Sequence, residues 1–222
     1  KVVASEALQC PTLTLNGFGA HRIEGIGDKH VPWIHNVRNT DAVAAIDDED
    51  CLRLLRLFNE PVGRDLLAAE GVDATTLDAL PLLGISSLAN LLACLKTARW
   101  FELTGDDVIV TVATDSVDLY RTRLTELRER DGEYTPLQAA RDLEHALLGQ
   151  RTDHYAELTH PDRRALHNLK YYTWVEQQGM DVTDLESLWY DRDLWPRIFA
   201  QPERWDAMIA EFNAETGVLA SL

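Results

Sequence analysis

Three short segments bring together residue types that could do chemistry. His21-Arg-Ile-Glu-Gly-Ile-Gly27 sets two glycines one residue apart. Backbone without Cβ atoms can turn sharply and approach a ligand closely. The same pattern also serves a plain structural turn. Leu83-Gly-Ile-Ser-Ser-Leu-Ala-Asn90 opens an apolar helix, so serine hydroxyls and free backbone N–H groups converge at one point. The simpler role for Ser86 or Ser87 is to cap that helix. Thr114-Asp-Ser-Val-Asp-Leu-Tyr120 follows the most strand-like run of the chain. Residues at the carboxyl end of a parallel strand face the usual ligand crevice, although Asp115 could equally cap the next helix. A hydrolase nucleophile elbow is not met, because Leu88 stands where Gly-x-Ser-x-Gly needs its second glycine.

The elements that must position these segments follow from local patterning. Residues 1–4 read as a buried strand that starts without lead-in, which suggests a chain beginning inside something larger. Residues 5–40 are loop-rich, and Val43–Ile46 is a second short strand. Asp47 and Asp48 offer N-caps to a helix through Phe58, ended by Pro61 and Gly63. A helix over about 64–70 stops at Gly71, a turn of helix covers 75–80, and a long apolar helix spans about 87–103. Val108–Val112 is a continuous β-branched run, which predicts a strand covered on both faces. Strand, helix and strand in this order predict an α/β layer with parallel pairing. Beyond about residue 117 the pattern predicts only helices, over about 117–130, 136–148, 161–178, 184–198 and 203–215. Thr183 with Glu186 reads as a capping box.

Composition narrows the function classes. The chain has 222 residues, with 21 Lys plus Arg against 37 Asp plus Glu, a net charge of -16. Such a surface lacks the basic footprint of a nucleic-acid binder and repels anionic membranes. No apolar run reaches the roughly 18 residues of a membrane span. Three scattered cysteines, Cys10, Cys51 and Cys94, without CxxC spacing fit reduced thiols in a cytoplasm. His154, His160 and His167 with Asp153 do not fall on one helix face, so no metal site is expected.

In this order and spacing, the three segments resemble the second half of the fold type II (tryptophan-synthase-β-type) pyridoxal-phosphate enzymes. The cysteine synthases and cystathionine β-synthases are the nearest groups. Ile23 to Gly27 matches their Ile-Glu-Gly-Ile-Gly loop, and Gly84 to Ser87 their Gly-Ile-Ser-Ser turn. Asp115, Ser116 and Tyr120 match a Pro-Asp-Ser motif with a tyrosine beyond it. The resemblance covers about residues 1–124. It implies an α/β chain that forms part of a parallel-sheet domain binding pyridoxal 5'-phosphate, followed by an all-helical extension over 125–222. That tail resembles extensions carried by bacterial members of the same family.

The resemblance further implies roles. Ser86 would hydrogen-bond the pyridine nitrogen of the cofactor, with Gly84, Asp115 and Ser116 along that edge of the ring. Gly25, Ile26 and Gly27 would line the substrate side. A neutral hydroxyl does not hold the ring nitrogen protonated as a carboxylate would, and such a weaker electron sink suits β-elimination or β-replacement on serine, an activated serine or cysteine. No catalytic residue is expected in this chain. None of Lys1, Lys29, Lys96 and Lys170 matches the family's Schiff-base lysine, so the partner is an upstream half, in the same or a separate polypeptide. Lys96 reads as a helix-surface residue. A homodimer of the complete enzyme in the cytoplasm is the family expectation. Thr114 replaces the proline of Pro-Asp-Ser, and Leu88, Asn90 and Asp28 also depart from the pattern. The alternative is a non-catalytic half-domain that regulates or scaffolds an active partner.

Overall fold

A computed structural model describes the backbone of residues 1–221 and the side chains of 1–219. The elements follow in order: β1 Val3–Ala7, α1 Thr12–Leu15, β2 Ala42–Ile46, α2 Asp48–Asn59, α3 Pro61–Ala69, α4 Ala74–Ala79 and α5 Ile85–Trp100. Then come α6 Arg121–Asp131, α7 Pro136–Asp142, β3 Tyr155–Glu157, α8 His160–Lys170, α9 Val182–Tyr190, α10 Leu194–Phe199 and α11 Pro202–Thr216. Wide π-helical turns continue α7 over Leu143–Leu148 and α8 over Tyr171–Gln177.

The sheet is small. β1 and β2 pair in parallel, Val3 opposite Ala42 and Ala7 opposite Ile46. β2 is buried throughout, so its five residues, Ala-Val-Ala-Ala-Ile, are all apolar rather than alternating. β3 then adds antiparallel to the other edge of β2, with Tyr155 opposite Ala44. The expectation of helices alone beyond residue 117 is therefore corrected. Three residues are too short to show a strand period. Tyr155 is held by tertiary contacts instead, stacked on Trp100 at 5.0 Å and edge-on to Phe101.

The helices that cover the sheet carry the signals that local chemistry requires. Asp47 caps α2, accepting from the Glu49 N–H at 2.8 Å, and the first turn is acidic as the helix dipole favours. Leu52, Leu54, Leu55, Leu57 and Phe58 then face the core. Thr135 and Gln138 form a capping box at α7 with Pro136 in its first turn. No such box forms at Thr183, because Asp181 caps α9 from two positions earlier. The predicted helix over 184–198 is two, α9 and α10, parted at Asp191–Asp193.

The largest departure lies at 108–112. This run forms no strand; Val108 and Val110 are 85% and 88% exposed. Its backbone is tied to α5 by Asn90, whose Nδ2 donates to the Val112 carbonyl at 3.0 Å. The β-branched composition predicted the extended shape, but pairing needs a neighbouring strand. A gap bordered by Val3, Ser5 and Cys94 lies alongside instead.

Compact units divide at Leu166, further along than residue 124 where the family resemblance ends. In Lys1–Leu166, Leu127, Tyr134, Ala139, Leu143 and Ala146 join the core built by α2 and α5. Within His167–Leu222, Leu185, Leu188 and Trp189 are buried and Trp189 lies 5.2 Å from the His167 ring. Trp205, Met208, Ile209 and Phe212 share one exposed face of α11.

Candidate active site

The site forms where the glycine loop meets the start of α5. Gly25 and Gly27 have φ of +89° and +93°, a region in which residues with a Cβ are strained. Gly25 lies against Ser86: a Cβ placed on it would sit 3.7 Å from the Ser86 Cβ and Oγ. At Gly27 space is also lacking, because a Cβ there would meet the His21 ring at 2.8 Å. The loop is fixed from outside by Arg123, whose Nε donates to Glu24 at 2.9 Å.

Gly84 is the N-cap of α5, with no side chain closing the helix end. Ser86 and Ser87 lie inside the first turn, so neither is the cap. Ser86 is 5% exposed, and its Oγ lies 2.6 Å from the Thr114 Oγ1. Ser87 Oγ accepts from the Thr114 N–H at 3.0 Å. These bonds dock the segment after 108–112 onto α5 without a ladder.

Asp115 closes the arrangement. The Gly84 N–H donates to its carbonyl at 2.8 Å. Its Oδ1 accepts from Thr114 Oγ1 at 3.2 Å and its Oδ2 from the Tyr120 hydroxyl. Burial, and then this bond, push the Tyr120 phenol upward, so it remains a donor. Asp115 is thus no helix cap. Ser116 takes that role, accepting from the Asp118 N–H at 3.3 Å to start a 3-10 turn over Val117–Tyr120.

Of the residues singled out in the sequence, Gly25, Gly84, Ser86 and Asp115 converge. Gly25, Ile26 and Gly27 line a cavity of about 940 Å3 together with Cys10, His21, His30 and His35. His21 Nδ1 is buried with no hydrogen-bond partner among the described residues. His21, Thr114 and Tyr120 were given no role by sequence reasoning. Each lies within or beside a recognised motif, but only tertiary contacts show what it touches. A larger cavity of about 1120 Å3 contains none of the motif residues. Two of its cations are paired within it, Arg53 with Asp50 at 2.9 Å and Lys96 with Asp153 at 2.8 Å.

Lys96 corrects an expectation. It is buried, and its Nζ donates to Asp153 Oδ1 and to the carbonyls of Arg151 and Asp153. All three of its N–H donors have partners, which offsets the cost of burying the group.

No family model matches the chain. Over 119 residues it is 29% identical to cysteine synthase B of Campylobacter jejuni, covering 54% of this chain and 33% of that protein. The chain thus spans about a third of the length of this curated relative. A crystal structure of a hydrogen sulfide-producing enzyme from Fusobacterium nucleatum aligns with a TM-score of 0.40 and 27% identity, over 64% of this chain and 36% of that one. Over the matched stretch, the chain is a partial homologue of cysteine synthase B.

Proposed function

We propose that this chain supplies the C-terminal portion of a pyridoxal-phosphate enzyme that performs β-elimination or β-replacement on a small amino acid: serine, an activated serine or cysteine. The observation that carries the reading is the Ser86 hydroxyl, buried at the start of α5 beneath Gly25 and hydrogen-bonded to Thr114. The residues fit the cofactor. A hydroxyl can bond a pyridine nitrogen while keeping its bond to Thr114. Gly25 keeps a side chain away from that hydroxyl.

When bound, the cofactor supplies the electron sink that lets a leaving group depart from the β-carbon of the amino acid. The chain's own residues do the rest. Ser86 orients the ring edge at its nitrogen. Asp115 holds Gly84 and Tyr120 in register beside it, and Ser116 fixes the turn that carries Asp115. Gly25, Ile26 and Gly27 border the substrate. In this reading the Schiff-base lysine comes from the upstream half, as Lys96 is committed to Asp153, and the complete enzyme is a homodimer.

Borohydride reduction followed by intact mass measurement under denaturing conditions tests this. The expected result is a covalent cofactor on an upstream polypeptide, or on the upstream part of a longer one. An adduct on Lys29 or Lys96, or turnover by this chain alone with added cofactor, overturns the placement of the lysine. Ser86→Ala should shift the cofactor absorbance and lower turnover; if both stay unchanged, the role of Ser86 fails.

A further inference from the structure

The hydroxyl network behind Ser86 has a direction. Thr114 Oγ1 lies between Ser86 Oγ at 2.6 Å and Asp115 Oδ1 at 3.2 Å. A carboxylate only accepts, and a threonine hydroxyl has one proton to give. A bond to a charged acceptor is the stronger use of that proton. The Thr114 proton therefore points to Asp115, and Thr114 takes the proton of Ser86 in turn. The other oxygen of Asp115 is filled by Tyr120, which stays a donor. Ser87 does not reverse the order: its Oγ accepts from the Thr114 N–H at 3.0 Å and stands 3.4 Å from Thr114 Oγ1, which has a second lone pair. The Ser86 proton is spent, and a lone pair is what the hydroxyl still offers.

Resting on the cofactor reading above, we propose that Thr114 makes Ser86 an acceptor toward the ring nitrogen, so that the nitrogen held there carries a proton coupled through two hydroxyls to the Asp115 carboxylate. A serine alone implies the opposite, an unprotonated nitrogen facing a donor. Thr114 stands where the resembling family has proline, which offers neither the hydroxyl nor the N–H used here. The arrangement puts positive charge at one end of the chain Ser86–Thr114–Asp115 and negative charge at the other. The other titratable groups facing it are Tyr120, which is neutral, and Glu24, which is paired with Arg123. Thr114 acts through Ser86 and is a positioning residue.

The test is nuclear magnetic resonance of the holoenzyme carrying this chain, with the cofactor labelled at its ring nitrogen with 15N, from pH 6 to 9. The wild-type protein should show a protonated nitrogen throughout. Thr114→Val, which removes the hydroxyl at an exposed position and should fold normally, should lower the nitrogen's proton affinity at least about tenfold. Thr114→Ser should restore it. A bound cofactor with an unprotonated nitrogen in the wild type, or a Thr114→Val spectrum like the wild type's, overturns the inference and leaves the site reading standing. If the labelled cofactor does not bind, that reading fails and takes the inference with it.

Discussion

Gly84 and Asp115 lock the serine turn to the segment beyond 108–112. The Gly84 N–H donates to the Asp115 carbonyl at 2.8 Å, and the Asp115 carboxylate fills the space that a side chain at 84 would occupy. A Cβ there would lie 2.0 Å from Asp115 Oδ1 and 2.8 Å from the Tyr120 ring. Gly84→Ala should therefore force Asp115 and Tyr120 aside and cost about 1–3 kcal/mol. Urea unfolding of the chain checks this, and a loss under about 0.5 kcal/mol would mean that the lock yields freely.

The glycine loop makes a second prediction that separates strain from crowding. Gly27→Ala meets both a φ of +93° and the His21 ring. The backbone part costs about 1–2 kcal/mol and remains whatever stands nearby. Adding His21→Ala should recover only the crowding part, leaving a partial rescue in a double-mutant cycle. Full rescue would show that the backbone tolerates alanine, and no rescue that the ring moves away without cost.

Val110 tests the exposed run. Its side chain is 88% exposed, so Val110→Lys should alter the stability of this chain by less than about 0.5 kcal/mol. A loss of 2 kcal/mol or more by chemical denaturation, roughly the cost of misplacing a core side chain, would show that the run is covered.

Lys170 predicts a pH dependence. It is 1% exposed, and burial lowers its pKa from 10.5 to about 8. The folded protein then holds this proton less tightly than the unfolded chain does. Stability from this group is present above about pH 10.5 and lost as pH falls to about 8, by at most about 3 kcal/mol. Lys170→Met should remove this slope while adding a pH-independent offset from lost contacts. Urea midpoints at pH 8 and 10 for both proteins decide it, and equal slopes would sink the prediction.

Much of the first unit is legible from residues alone. β-branched and small apolar runs mark β1 and β2, Asp47 marks the start of α2, and Pro136 marks the start of α7, because each rule acts within a few residues. The three site segments are legible for the same reason. Glycine spacing and the Gly-x-Ser-Ser turn are local patterns.

What the tertiary structure alone decided is what each of these touches. Val108–Val112 has strand composition, but a strand exists only where a neighbour pairs with it, and β3 shows the reverse case of a weak sequence recruited by the free edge of β2. Lys96 looks like a surface residue by type and is buried because Asp153 and two carbonyls, more than fifty residues away in sequence, receive its protons. Thr114 reads as a mere departure from a motif; only its distances to Ser86 and Asp115 give it a part in the site. Local patterns fix backbone conformation, whereas proton direction and burial depend on groups distant in sequence, which only the folded chain brings together.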